Sequence, residues 1–148
     1  MKIEEAIQSK FADTNQKAIV NLLYTASWLS GRISEVLKKQ GITHQQYNVL
    51  RILRGSKGQP VSLKYIRERM LDRMSDASRI VDKLHNKQYL ERKQCPSDRR
   101  NVDITITNEG LNLLQKLDGT VEEINDLFSS FTEEEVIDFN NFLDKLRH

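Results

Sequence analysis

The stretch that most narrows the fold is Tyr89 to Thr107, YLERKQCPSDRRNVDITIT. Val102, Ile104 and Ile106 alternate with Asp103, Thr105 and Thr107, the period-two pattern of a half-buried strand. A second strand-like run precedes it, and Pro96 and Ser97 between the two supply turn chemistry. The expected product is a hairpin whose turn ends in Asp98, Arg99 and Arg100. Two adjacent guanidinium groups at a tip make a poor core. They make a good probe for an anionic backbone or a narrow groove.

The segment before the hairpin reads as two short helices joined by a tight turn. Ser62 is a cap for a helix over about 63–70, with Leu63, Ile66 and Met70 on one face. Asp72 is the expected cap of the next, over about 73–87, whose Ala77, Ile80, Val81 and Leu84 face inward. Arg73, Ser75, Asp76, Ser78, Arg79, Asp82 and Lys83 lie mostly on its other faces. Helix, turn, helix, basic hairpin is the order of a winged helix-turn-helix DNA reader.

The flanks are helical. Ile19, Leu22, Ala26, Leu29, Ile33 and Val36 step by three and four, predicting one helix over 15–39 that stops near Gly41. Thr43 and Gln46 form a capping box for a helix over roughly 44–55, and GSKGQP at 55–60 is a loop. From Thr107 the positions Leu114, Leu117, Val121, Ile124, Phe128 and Phe131 again step by three and four. Thr132 and Glu135 box a final helix carrying Val136, Phe139, Leu143 and Leu146. The expected fold is mainly α with a small β-hairpin wing (α+β), in one protomer spanning 1–148. The winged helix-turn-helix region covers 44–107, between dimerisation helices at 1–40 and 108–148. The terminal apolar stripes can pack on each other or interleave with a second copy. The expectation is a homodimer, because two-fold assemblies are the commonest and paired DNA readers use that symmetry.

Charge divides the chain the same way. Residues 51–100 carry 14 basic and 6 acidic side chains, net +8, whereas 101–148 carry 3 and 11, net −8. A basic middle beside an acidic end fits a nucleic-acid-facing module and a separate structural region. No run of about 18 apolar residues predicts a membrane span, and the first residues lack a signal-peptide core, so a cytoplasmic protein is expected. Cys95 is the only cysteine, which excludes an intrachain disulfide. His44, His85 and His148 have no metal-ligand spacing, and no phosphate-loop, dinucleotide or nucleophile-elbow motif is present. Neither enzyme chemistry, a metal nor a cofactor is expected. A winged helix docking other proteins is the alternative, although it would not need the net +8 segment.

A recognition helix presents its N-terminal side chains to base edges, which points to Ser75, Asp76, Ser78 and Arg79. Arg79 can take guanine bidentately or clamp a phosphate. For Asp76 two readings stand: accepting from a cytosine amino group, or stabilising the helix start. Arg99 and Arg100 suit a narrow minor groove, with Asp98 fixing their loop through a charge-assisted bond. Lys64, Arg67, Arg69, Arg73 and Lys83 complete the candidate DNA-facing set, with phosphate contacts setting register.

The segment VDKLHNKQYLERKQCPSDRRNVDITITNEG resembles the MarR family of winged-helix regulators. The resemblance rests on Val81–Asp82–Lys83–Leu84, Leu90–Glu91–Arg92, Asp98–Arg99–Arg100 and Ile106–Thr107–Asn108–Glu109–Gly110. The helix order agrees over essentially the whole chain. It implies an obligate homodimer, double-stranded DNA with a palindromic operator, and usually repression. It also implies release by a small phenolic or otherwise aromatic effector, or by thiol oxidation. Two departures stand out. Gln88 replaces the glycine usual after the recognition helix, and MLDRMSDASR at its start is unlike the family's small polar pattern.

In such proteins the effector lodges between the dimerisation helices and the winged domain. Tyr24, Trp28, Arg32, His44 and Tyr47 are the candidates to line that crevice, unless they simply pack in core and interface. Cys95, at the wing base beside Arg92 and Lys93, is either a thiol activated by those cations or an unreactive strand-end residue.

Overall fold

The computed structural model describes residues 1–147. Its elements are α1 (Ile3–Ala6), α2 (Thr14–Lys38), α3 (His44–Gly55), α4 (Leu63–Arg69), α5 (Ala77–Asn86), β1 (Leu90–Gln94), β2 (Val102–Ile106), α6 (Asn108–Asn125) and α7 (Glu133–Leu146). A 3₁₀ turn, Asp126–Phe128, joins the last two helices.

Each longer helix starts where a side chain can satisfy a free backbone N–H. Thr43 accepts from the Gln46 N–H at 3.1 Å, and the Gln46 side chain accepts in return from the Thr43 N–H. Thr132 and Glu135 repeat that exchange at α7. Ser62 caps α4 and Thr107 caps α6. The fourth expected helix begins later than its pattern suggested. Asp76, not Asp72, accepts from the Arg79 N–H and opens α5, while Asp72 folds its carboxylate onto the Met74 N–H. Both aspartates carry the right chemistry, and the one whose backbone leads into the packed face of Ala77, Ile80, Val81 and Leu84 becomes the cap.

The core lies where α3, α4, α5, α6 and the hairpin base meet. Leu50, Leu53, Ile66, Leu84, Leu90, Ile104 and Leu114 are fully buried there. β1 and β2 pair antiparallel with Leu90 opposite Ile106 and Gln94 opposite Val102. Val61, from the loop before α4, adds a bridge to Ile104 through two backbone hydrogen bonds of 3.0 and 2.9 Å. This bridge and the short α1 were not expected from the sequence. Between α3 and α6, Arg54 Nη1 reaches both carboxylate oxygens of Asp118 at 3.0 Å.

The chain leaves α5 through a left-handed residue, Gln88 at φ 64°. The Gln88 N–H donates to the His85 carbonyl and the Tyr89 N–H to the Leu84 carbonyl, which closes the helix end. The Thr107 hydroxyl then donates to the Gln88 carbonyl at 2.7 Å. Gly110 sits beneath this crossing. A Cβ there would overlap the Tyr89 carbonyl oxygen and come within 2.8 Å of Ile106 Cγ1, so only glycine lets α6 approach the hairpin.

The terminal stripes do not close on themselves. Leu114 and Leu117 are buried in the core, but α7 buries none of its residues. Phe142 is 70% exposed and Leu23, on α2, is 66% exposed.

Candidate nucleic-acid interface

The wing tip is built by Asp98. One of its carboxylate oxygens accepts from the Arg100 N–H at 2.9 Å and the other from the Asn101 side-chain amide at 2.9 Å. The Cys95 N–H donates to the Asn101 carbonyl, and Gln94 Nε2 donates to the Arg99 carbonyl at 2.9 Å. Asp98 therefore fixes the loop through charge-assisted bonds, as expected, and its donors are a backbone N–H and a side-chain amide. Neither Arg99 nor Arg100 pairs with an acid among the described residues, and both are exposed.

A groove of about 220 Å³ runs between the α4 start, α5 and the wing. Lys64, Ser78, Asp82, Arg92 and Arg100 share it, so three separated stretches of sequence converge on one face. Arg92 of β1 donates to Asp82 of α5, which ties the wing to the helix beside it. Ser78, Arg79 and Lys83 are exposed on α5. Asp76 serves as the helix cap, and Ser75 lies in the turn before α5 with its hydroxyl buried. Of the four residues expected at the helix start, Ser78 and Arg79 are thus the two on α5 itself. Arg73 lies outside α5, and its guanidinium donates to the Glu68 carbonyl at 3.1 Å. Arg69 stacks on the Tyr65 ring at 3.5 Å.

A second feature is a cavity of about 460 Å³ between α2, α3 and α6. His44 and Tyr47 line it as expected, with Asn48 and Arg51 as further polar groups and Ile33, Val36, Leu117 and Val121 as apolar wall. Tyr47 is 6% exposed, and its hydroxyl is buried without a hydrogen-bond partner among the described residues. Burial holds the His44 imidazole below its ordinary value, which favours the neutral ring. Tyr24, Trp28 and Arg32 do not line this cavity. Tyr24 and Trp28 face α1 instead, and the Arg32 guanidinium lies 5.4 Å from the Trp28 ring centre. For Tyr24 and Trp28 the reason is helical phase. Ile33 follows Tyr24 by nine positions, a rotation of about 180° at 3.6 residues per turn. The apolar stripe through Ile33 and Val36 was the signal that pointed to the wall.

The Cys95 thiol is lowered from its ordinary value chiefly by the Ser97 hydroxyl, 3.2 Å away, and then by the Ser97 and Asp98 backbone groups. Burial and Asp103 oppose the shift. Arg92 and Lys93, the cations that one of the two readings of Cys95 invoked, are not among the causes.

The sequence model of the MarR family matches residues 40–101. The transcriptional regulator MhqR of Bacillus subtilis is 31% identical over 109 residues, covering 73% of this chain and 74% of that one. The chain belongs to the MarR family. It is a winged-helix transcriptional regulator, like the curated MarR relatives it matches. Two solved MarR-type folds superpose over nearly the whole chain. Sco3205 of Streptomyces coelicolor, solved in complex with DNA, has a TM-score of 0.77 at 22% identity, covering 94% of this chain and 90% of its own. BpsR of Bordetella bronchiseptica, whose DNA binding is regulated by 6-hydroxynicotinic acid, has a TM-score of 0.75 at 21% identity, covering 88% and 99%.

The MarR motifs acquire physical roles here. Asp82 and Arg92 pair with each other, Asp98 shapes the tip, and Gly110 admits the Tyr89 carbonyl. Gln88 keeps the left-handed turn that a MarR glycine would make without strain. No helix among the described residues is long and apolar enough to cross a membrane.

Proposed function

We propose that this MarR regulator acts as a homodimer that represses from a palindromic operator in the cytoplasm and is released by a small aromatic or phenolic effector. The observation that carries the reading is the convergence of α5, the α4 start and the acid-free wing residue Arg100 on one face of the net +8 segment. Helix α5 would enter the major groove with Ser78 and Arg79 toward base edges, and Arg99 and Arg100 would reach the flanking minor groove. Lys64 and Lys83 would meet phosphates.

The dimerisation regions are 1–40 and 108–148. Support comes from the apolar faces left in water on α2 and α7, including an aromatic group in which Phe128 stands 5.7 Å from Phe131 and 6.1 Å from Phe139. A two-fold dimer presents two α5 helices one DNA turn apart, which a palindrome matches. A dimer seated there excludes other proteins from the same DNA, hence repression. The effector site is the 460 Å³ cavity. Its apolar wall suits a ring, and Arg51, Asn48 and the unpartnered Tyr47 hydroxyl suit polar substituents.

The test is fluorescence anisotropy on duplex DNA from upstream of the protein's own gene, with scrambled DNA of equal length, across a salt series. Sedimentation would run alongside. The expected result is preferential binding by one dimer per palindrome with a steep salt slope. Absence of binding to either duplex at low salt would remove the DNA reading and favour a protein-docking winged helix.

A further inference from the structure

The turn between α4 and α5 is held unusually firmly for a loop. Met70 anchors its start in the core. The Leu71 N–H donates to Asn48 Oδ1 at 2.9 Å, and Gln45 Nε2 donates to Asp72 Oδ2 at 3.3 Å. Asp72 Oδ1 accepts from the Met74 N–H at 2.9 Å, and the Ser75 N–H donates to the Asp72 carbonyl at 3.2 Å. Within this fixed segment the Met74 side chain is 92% exposed. A single exposed apolar residue on a mobile loop means little. Here a fastened backbone holds an apolar side chain out in water, just ahead of α5 and its exposed Ser78 and Arg79.

We propose that Met74 is a specificity-determining residue that packs against the C5-methyl group of a thymine in each operator half-site. The inference rests on the DNA-binding reading above. Met74 stands in the turn three residues ahead of α5, beside the helix end that would present side chains to base edges in the major groove, and the apolar feature displayed there is the thymine methyl. A thioether gains nothing from a phosphate. Its unbranched, polarisable chain adapts well to a small apolar knob.

The test begins with selection from a randomised duplex pool by the parent protein, by Met74→Ala and by Met74→Gln. Recovered sites are then measured by anisotropy with individual thymines replaced by uracil, which removes the methyl and leaves base pairing intact. The parent is expected to enrich thymine at one symmetry-related pair of positions. Uracil there should weaken it about fourfold per half-site, the equivalent of one methyl-sized group returned to water. Met74→Ala and Met74→Gln should bind thymine and uracil sites equally. An equal uracil penalty in parent and variants, or no penalty at any enriched thymine, overturns the role of Met74. No enrichment by the parent overturns the DNA reading itself, so the two failures are distinct. Because Met74 is so exposed, both variants should fold as the parent does, which circular dichroism would verify.

Discussion

Arg92 on β1 donates to Asp82 on α5, bridging ten positions of sequence and the two parts of the proposed DNA-facing surface. Both side chains remain partly exposed, so their contribution to stability is small, up to about 1 kcal/mol. Their effect is on the angle between wing and helix. Asp82→Asn separates geometry from charge, because it removes a negative charge from the face proposed to meet phosphate. Charge alone would tighten binding. We expect weaker operator binding, by several-fold, with a thermal midpoint lowered by no more than about 4 °C. Tighter binding in the anisotropy titration would show that the pair does not set the wing.

The wing arginines should act on DNA phosphates without a structural role. Arg99→Ala and Arg100→Ala should each leave the unfolding midpoint unchanged and weaken DNA binding. Each phosphate that a variant no longer neutralises should lower the slope of log affinity against log salt by about 1. An arginine inserted into the minor groove should show a larger effect on A·T-rich flanks. If both variants bind as the parent does, the wing is not part of the interface.

The junction between the end of α5, the hairpin base and the start of α6 gives two opposite stability predictions. Gly110→Ala places a methyl group against the Tyr89 carbonyl and Ile106, and should destabilise by about 1–3 kcal/mol. Gln88→Gly relieves a left-handed side-chain residue and should stabilise by up to about 1 kcal/mol, reduced by the extra freedom of glycine in the unfolded chain. Urea midpoints at constant slope would measure both. A stable Gly110→Ala would mean that α6 can shift away from the hairpin.

The cavity predicts a separation between stability and effector binding. Tyr47→Phe removes a buried hydroxyl that has no partner among the described residues, so the free protein should be as stable or slightly more so. The same change should weaken an effector that hydrogen-bonds that hydroxyl. Calorimetric titration of both proteins with simple phenols is the measurement. A clear loss of stability in Tyr47→Phe would reveal a hydrogen bond inside the protein.

His44 should make the cavity region sensitive to acid. Its folded value is lowered by burial from the ordinary 6.5. As pH falls through that ordinary value, the unfolded chain takes up the proton first, and folding is disfavoured down to the lower folded value. Stability relative to His44→Gln should therefore be constant above about pH 6.5 and decline below it. Parallel pH profiles of parent and variant would check the sign.

What the sequence determined was local. Period and capping chemistry marked α2 within one residue at each end, the boxes at Thr43 and Thr132, and the alternating strand that ends in Ile106. These follow from interactions over three or four positions, which a linear reading contains. The Asp98–Arg99–Arg100 tip was legible for the same reason. The tertiary structure decided everything that depends on distant segments meeting. It selected Asp76 over Asp72 as the α5 cap, because packing and not cap chemistry set where the helix begins. It added the Val61 bridge to Ile104, paired Arg92 with Asp82, and joined Arg54 to Asp118 across 64 positions. It also sent Tyr24, Trp28 and Arg32 away from the cavity that His44 and Tyr47 line. Residue spacing assigns a face of a helix, but which element that face meets is settled only when the whole chain is packed.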